Sequence, residues 1–347
     1  MTADIIDTEV HIGRFLNDTW DESHLEALWP AGVSEAWCSS LSAGTVGMRF
    51  GNEEMAATLE REKRLKGLVW VVPYDPEWRA IATEFLQHGF LGIKIHPPLD
   101  RWEPTEAFLG PILELAGEFR VPVFMHAHGL NLIGSFLARY SQVQLVVYHL
   151  GGFDGIWLAR HHPNVWAGLS WCDHYKIATA EAALGVGRLL YGTDSPIRLV
   201  RNPVVDLQGG GYRTYRQMLL EPIEKAELSP AAREAILAGN AARLLAAARG
   251  EPLHGDRLAD ASLADDERVD IEIMVVLGVG DRAGENLAGI AGHRLGRKGE
   301  NVHRLFRFLA ADQTSHEIQL LSRTTDGRAD SQRLVIRDAA GCFLLGH

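Results

Sequence analysis

Residues 5–13 read Ile-Ile-Asp-Thr-Glu-Val-His-Ile-Gly, an apolar, β-prone run carrying two potential metal ligands, Glu9 and His11, two positions apart. Side chains alternate between the faces of a strand, so this spacing puts both on one face at the strand's C-terminal end. Seven further short apolar runs follow: 33–39, 67–72, 89–95, 121–126, 144–149, 164–170 and 188–192, with the first counted from Asp4 to Val10. Longer amphipathic segments separate them, which is the pattern of repeated βα units on a parallel sheet. Eight such strands predict an α/β protein of the closed (β/α)8 TIM-barrel type.

The intervening segments carry helix signals. Ser23 with Glu26 reads as a capping box before the first helix, and Asn52 to Lys66 as a charged, amphipathic second. Pro104 and Pro111 flank the expected start of the fourth. Ser229 and Pro230 read as N-cap and first position of a helix over 231–237, punctuated by Gly239 and Asn240 before helix resumes over 241–248. The barrel is thus expected over residues 1–250. Residues 251–267, rich in Asp, Ala, Gly and Pro, read as a linker, and 268–347 as a small α+β domain. Its outline is strand 271–277, helix 283–295, helix 300–311, then strands 316–322 and 332–338.

Composition narrows the function classes. With 34 Lys and Arg against 45 Asp and Glu, the net charge of −11 argues against whole-chain affinity for nucleic acid or an anionic membrane. No apolar run approaches the roughly 18 residues of a spanning helix, and Met1 to Val10 lacks the basic start and apolar core of a secretory signal. Three scattered cysteines (Cys38, Cys172 and Cys342) fit buried thiols in a reducing cytoplasm, the compartment expected here.

Loops at the C-terminal ends of barrel strands converge on one mouth. Glu9 and His11 on strand one, His126 and His128 on strand five, His149 on strand six and Asp194 after strand eight all fall at that end. Singly, each has a simpler reading: a strand-end histidine is usually just hydrogen-bonded, and an aspartate after Gly-Thr can cap a helix. Jointly, these imidazoles and carboxylates from strands one, five, six and eight point to a divalent ion, zinc first and manganese second.

The runs IIDTEVHIG, PVFMHAHG, VVYHLGG and YGTDSP resemble the strand-one, -five, -six and -eight motifs of the amidohydrolase-related (amidohydrolase 2) family. GIKIHPP (92–98) and ILAGNAARLL (236–245) are also similar to family segments. The resemblance implies metal ligation by His11, His126 and Asp194, with Glu9 completing the set, and catalytic roles for His149 and Asp194. Glu9 departs from the usual His-x-His pattern, and glutamate at this place is known in the family's decarboxylase branch. Two reactions therefore stay open. One is hydrolysis of a small lactone, ester or amide by activated water. The other is non-oxidative decarboxylation of a hydroxylated aromatic acid. Both use the same residues.

Around this set, Lys94 is read as a charge partner or substrate contact, with a carboxylated, ion-bridging lysine as the lesser reading. His96 is read as structural. His128, Arg198 and Trp171 are candidate substrate contacts, and Trp20, Trp102 and Trp166 candidate aromatic walls. His161, His162 and His174 are expected to face solvent, and the enzyme to form a homodimer.

In the C-terminal part, Gly296-Arg297-Lys298-Gly299 between two expected helices resembles the Gly-x-x-Gly loop of a KH module, which clamps single-stranded nucleic acid. From Arg282 to Arg337 there are ten Lys and Arg against six Asp and Glu. Such turns are common, and dimerisation, a lid or partner docking is the preferred role. A nucleic-acid role would instead make the chain a binding scaffold. It predicts low-salt binding to single strands that weakens on Lys298→Asp; a flat titration removes it.

Overall fold

The computed structural model describes residues 4–197, 220–251 and four strands beyond residue 270. The chain divides into two units, residues 1–261 and 262–347. In the first, β1 (Ile5–Phe15), β3 (Val33–Ser40), β4 (Leu65–Trp70), β5 (Gly92–Ile95), β6 (Val123–His126), β7 (Leu145–Tyr148), β8 (Val165–Gly168) and β9 (Leu189–Leu190) run parallel in sequence order. A three-residue strand, β2 (Asp18–Trp20), folds back antiparallel on the end of β1. All eight expected strands are present.

The sheet curls until its ends meet. Thr8 N–H donates to the Tyr191 carbonyl (3.0 Å), Asp194 N–H to Glu9 (2.8 Å) and His11 N–H to Ser195 (2.7 Å), joining β1 to the segment that continues β9. Closure leaves no free edge, as a barrel requires.

Alternate residues of each strand fill the interior. Trp37, Leu68, Phe124, Val146, Trp166 and Leu190 form one buried cluster, sealed by Ala241 and Leu244 of the helix Asn240–Arg249. Trp37 meets Phe124 edge-on at 5.6 Å. Two positions further along β6, β7 and β8 come His126, Tyr148 and Gly168, with Lys94 of β5 beside them, and beyond them the mouth. A side chain at Gly168 would collide with the Tyr148 ring, so only glycine lets β8 pass this close.

Several helix boundaries differ from expectation. The first segment is a 3-10 helix, Glu22–Leu28, capped by Asp21 in a box with His24 rather than by Ser23 with Glu26. The second helix is Met48–Arg61, starting four residues early; Lys66 belongs to β4 instead. Pro111 lies inside the helix Glu106–Phe119 rather than beside its start.

Ser229 does cap the helix that starts at Pro230, accepting from Ala232 N–H at 3.1 Å. Gly239 and Asn240 do not interrupt the helix that follows. A π-helical turn, Ala235–Gly239, carries it through. That turn buries Asn240, whose Nδ2 donates to the carbonyls of Val186 and Leu189 at 2.8 Å each. No helix among the described residues is long and apolar enough to cross a membrane.

The described part of the second unit is all strand. β10 (Ile271–Gly278) pairs antiparallel with β11 (Ala288–Leu295), and β12 (His316–Arg323) with β13 (Ala329–Ile336). The helix expected over 283–295 is thus corrected to strand from Ala288 onward. Gly289 and Gly292 weaken helix propensity there, and a continuous eight-pair register with β10 satisfies the backbone instead. The Gly296–Gly299 turn and the helix expected over 300–311 lie outside the described residues.

Asn240→Ala should remove the side-chain donor from the Val186 and Leu189 carbonyls and cost about 1–3 kcal/mol. Denaturant unfolding of the full chain checks this.

Candidate metal centre

Three side chains meet at the mouth. Glu9, His11 and Asp194, all buried, each offer a ligand atom, and these atoms lie within 4.8 Å of one another. His11 Nε2 is 3.0 Å from Asp194 Oδ1 and 3.9 Å from Glu9 Oε1. Its other ring nitrogen lies 3.0 Å from Ser39 Oγ, which turns Nε2 toward the two carboxylates. Metal–ligand bonds of about 2.0–2.2 Å place neighbouring donors roughly 3–4 Å apart, so this group suits one ion.

Glu9 is held from both sides. Lys94 Nζ, almost fully buried, donates to Oε1 at 2.9 Å, and the Ser170 hydroxyl donates to Oε2. Each carboxylate oxygen has two lone pairs, so these bonds leave room for coordination. The Lys94 ammonium also rests over the Tyr148 ring, 4.1 Å from its centroid. Tyr148 in turn donates its phenol proton to the Thr8 carbonyl on β1.

Asp194 sits at a sharp bend. Its backbone φ of 59° is left-handed, as are those of His149 (61°) and Trp171 (60°). Such conformations are uncommon for residues with side chains, and here all three aim functional groups into the mouth. Burial pushes the Asp194 carboxyl up, but His11 outweighs it and holds the group below the usual carboxylate range. Trp171 Nε1 donates to its Oδ2 at 2.5 Å.

Beside these lies a run of histidines. His126 Nδ1 and His149 Nε2 are 3.0 Å apart. His96 stacks on His126 at 4.0 Å and Trp70 on His96 at 5.8 Å. Burial, reinforced by the nearby His149, lowers His126 to about 3, and burial likewise lowers His96, so both rings are neutral at pH 7. Asp100 Oδ2 anchors the stack by accepting from Trp70 Nε1 at 3.0 Å.

A cavity of about 440 Å³ opens above the centre, lined by Glu9, His11, His96, His126, His149 and Asp194 with Phe15, Leu41, Leu99, Trp171 and Ile197. Its volume suits a small molecule.

Of the four expected ligands, three form the close group, while His126 stands next to it, bonded to His149. Lys94 pairs with Glu9 at 2.9 Å, the charge-partner reading of the two, and is not among the residues lining the cavity. His128 turns away, its Nε2 on the exposed Glu103 at 3.2 Å. Arg198 lies outside the described residues. Of the four tryptophans, only Trp171 lines the cavity. Trp166 is in the barrel floor, donating to Gln144 at 2.8 Å, and Trp20 and Trp102 are buried. His162 is buried rather than solvent-facing. Sequence reading missed Ser170 and Ser39, because nothing marks an isolated serine until the strands bring it to an imidazole. Ser170 had one signal, its position two past Gly168, just after β8.

The family described as Amidohydrolase matches residues 46–246. The chain belongs to this family. The match takes in the strand-five, -six and -eight motifs, while the strand-one pair Glu9 and His11 precedes it.

Solved structures agree on the fold. A Staphylococcus aureus protein classed with the amidohydrolases is 13% identical with a TM-score of 0.56, over 70% of this chain and 99% of its own. A 4-oxalomesaconate hydratase from Rhodopseudomonas palustris is 15% identical with a TM-score of 0.54, over 71% and 97%. An amidohydrolase 2 protein from Bifidobacterium longum subsp. infantis is 14% identical with a TM-score of 0.50, over 70% and 99%. No curated protein matches the sequence.

Asp100 generates a pH prediction. Burial raises its carboxyl to about 7, against 3.8 ordinarily, with the Trp70 N–H pulling part of the way back. The folded chain therefore keeps a proton that the unfolded chain releases, and this contribution to stability, full below about pH 4, is lost as pH rises to 7. Asp100→Asn, permanently neutral, should gain stability relative to the parent across that window and plateau above it. Paired thermal melts between pH 4 and 8 check this.

Proposed function

We propose that the chain is a metal-dependent hydrolase of small lactones, esters or amides. The observation that carries this reading is the buried group of Glu9, His11 and Asp194 at the base of a cavity flanked by His126 and His149. Those residues would hold the ion, His126 completing the set, and the nitrogen–oxygen donors suit zinc, or manganese. A divalent ion there supplies Lewis acidity toward a carbonyl and toward water.

The remaining chemistry is the chain's own. Asp194, ionised and steadied by Trp171, accepts the proton of the attacking water. Its position against His11 keeps the carboxylate aimed at the reacting centre. His149 sits at the cavity wall, where an imidazole can stabilise developing charge or pass a proton to the leaving group. Phe15, Leu41, Leu99 and Ile197 exclude water from the substrate body, and Trp171 offers a flat face.

Glu9 bears on the reaction class. A carboxylate ligand alone would weaken Lewis acidity, but the Lys94 ammonium at 2.9 Å offsets its charge. That compensation supports hydrolysis. The glutamate itself favours the second reading, decarboxylation of a hydroxylated aromatic acid, in which the same residues would position a ring carbon for protonation.

His11→Ala and Asp194→Ala should each abolish turnover and lower bound metal from about one ion per chain. Metal analysis with a panel of lactones, esters and aromatic acids checks both points. Carbon dioxide release without ring opening would select the second reading. Unchanged turnover in both variants, with no bound ion, would sink the metal reading altogether.

A further inference from the structure

We infer that Ser170 is a positioning residue that sets the tautomers of His149 and His126, and thereby leaves His126 Nε2 as the lone-pair donor at the metal centre. Glu9, paired with the Lys94 ammonium, is a carboxylate and can only accept. The Ser170 hydroxyl bonded to Glu9 Oε2 is therefore the donor, and its single proton is spent there.

Ser170 Oγ also lies 2.9 Å from His149 Nδ1. With its proton committed, the hydroxyl accepts in this second bond, so Nδ1 carries the imidazole hydrogen. A separate contact agrees: the Ser170 backbone carbonyl, which can only accept, is 3.4 Å from the same nitrogen. In the neutral form of this ring, the lone pair of His149 then falls on Nε2.

That nitrogen is 3.0 Å from His126 Nδ1. One partner must donate, and between two neutral rings only His126 can. His126 is then the Nδ1–H tautomer with its lone pair on Nε2, the form a cation requires. One serine hydroxyl thus orders two imidazoles through a chain running Lys94, Glu9, Ser170, His149, His126. A bonded acceptor on the far nitrogen of a ligating histidine ordinarily fixes its tautomer and raises its basicity. Here a second histidine is that acceptor, and its own orientation is fixed from the buried carboxylate.

The inference rests on the metal reading for one of its two readouts only. In ¹⁵N imidazole spectra of the full chain at mildly alkaline pH, before zinc is added, His126 and His149 should both appear as Nδ1–H tautomers. Ser170→Ala should mix the tautomers of both rings and weaken zinc binding by about 10–100-fold. Ser170→Thr, which keeps the hydroxyl, should restore both. An Nε2–H tautomer at either ring of the parent chain overturns the inference whether or not Ser170→Ala folds. So does a folded Ser170→Ala that keeps parental tautomers and zinc affinity. The spectra need no substrate, so failure of the hydrolase reading would leave the expected tautomers standing, and the reverse.

Discussion

A carboxylate buried at the base of a barrel must be compensated, and Glu9 is the group around which this mouth is arranged. An unpaired buried charge costs several kcal/mol or forces the group to neutralise. The compensation comes from distant strands: Lys94 on β5 donates to one oxygen and Ser170, after β8, to the other. Tyr148 on β7 lies under the Lys94 ammonium and ties back to β1 through Thr8. Gly168 leaves space for that ring. Strands β5, β7 and β8 are thus tied to the first around one charge, and the candidate ligand atoms of His11 and Asp194 sit within that ordered frame.

The same arrangement explains why three mouth residues occupy left-handed backbone. His149, Trp171 and Asp194 each follow a barrel strand, where the chain must turn outward while its side chain stays inward. The bonds they make hold them there: His149 to His126 and Ser170, Trp171 to Asp194, and Asp194 to His11. Backbone strain located at a cavity and held by such bonds is characteristic of functional sites.

Much of this was readable from the chain. The eight strands stood out because each is a short apolar run between longer amphipathic segments, and a closed parallel sheet tolerates little else. The candidate strand-end ligands stood out because Glu9 and His11 sit two apart, and because histidines recur at the same end of other strands. Helix starts were less legible. Asp21 displaced Ser23 as a cap, and Pro111 sits within a helix, because tertiary packing overrides local signals by amounts as small as the signals themselves. Ala288–Leu295 reads as helical by its alanines and leucine, yet pairing with β10 made it a strand.

By itself, then, the sequence determined the barrel, the strand ends at which the candidate ligands gather and most of their types, since these follow from periodicity and residue chemistry within single strands. Only the tertiary structure decided which groups act together. It paired Lys94 with Glu9 and His128 with Glu103, neither Lys94 nor His128 being among the residues lining the cavity. It placed Trp166 in the floor and brought the unmarked Ser170 between a carboxylate and an imidazole. Those outcomes depend on distances between residues 20 to 160 positions apart, which barrel closure sets and no local pattern encodes.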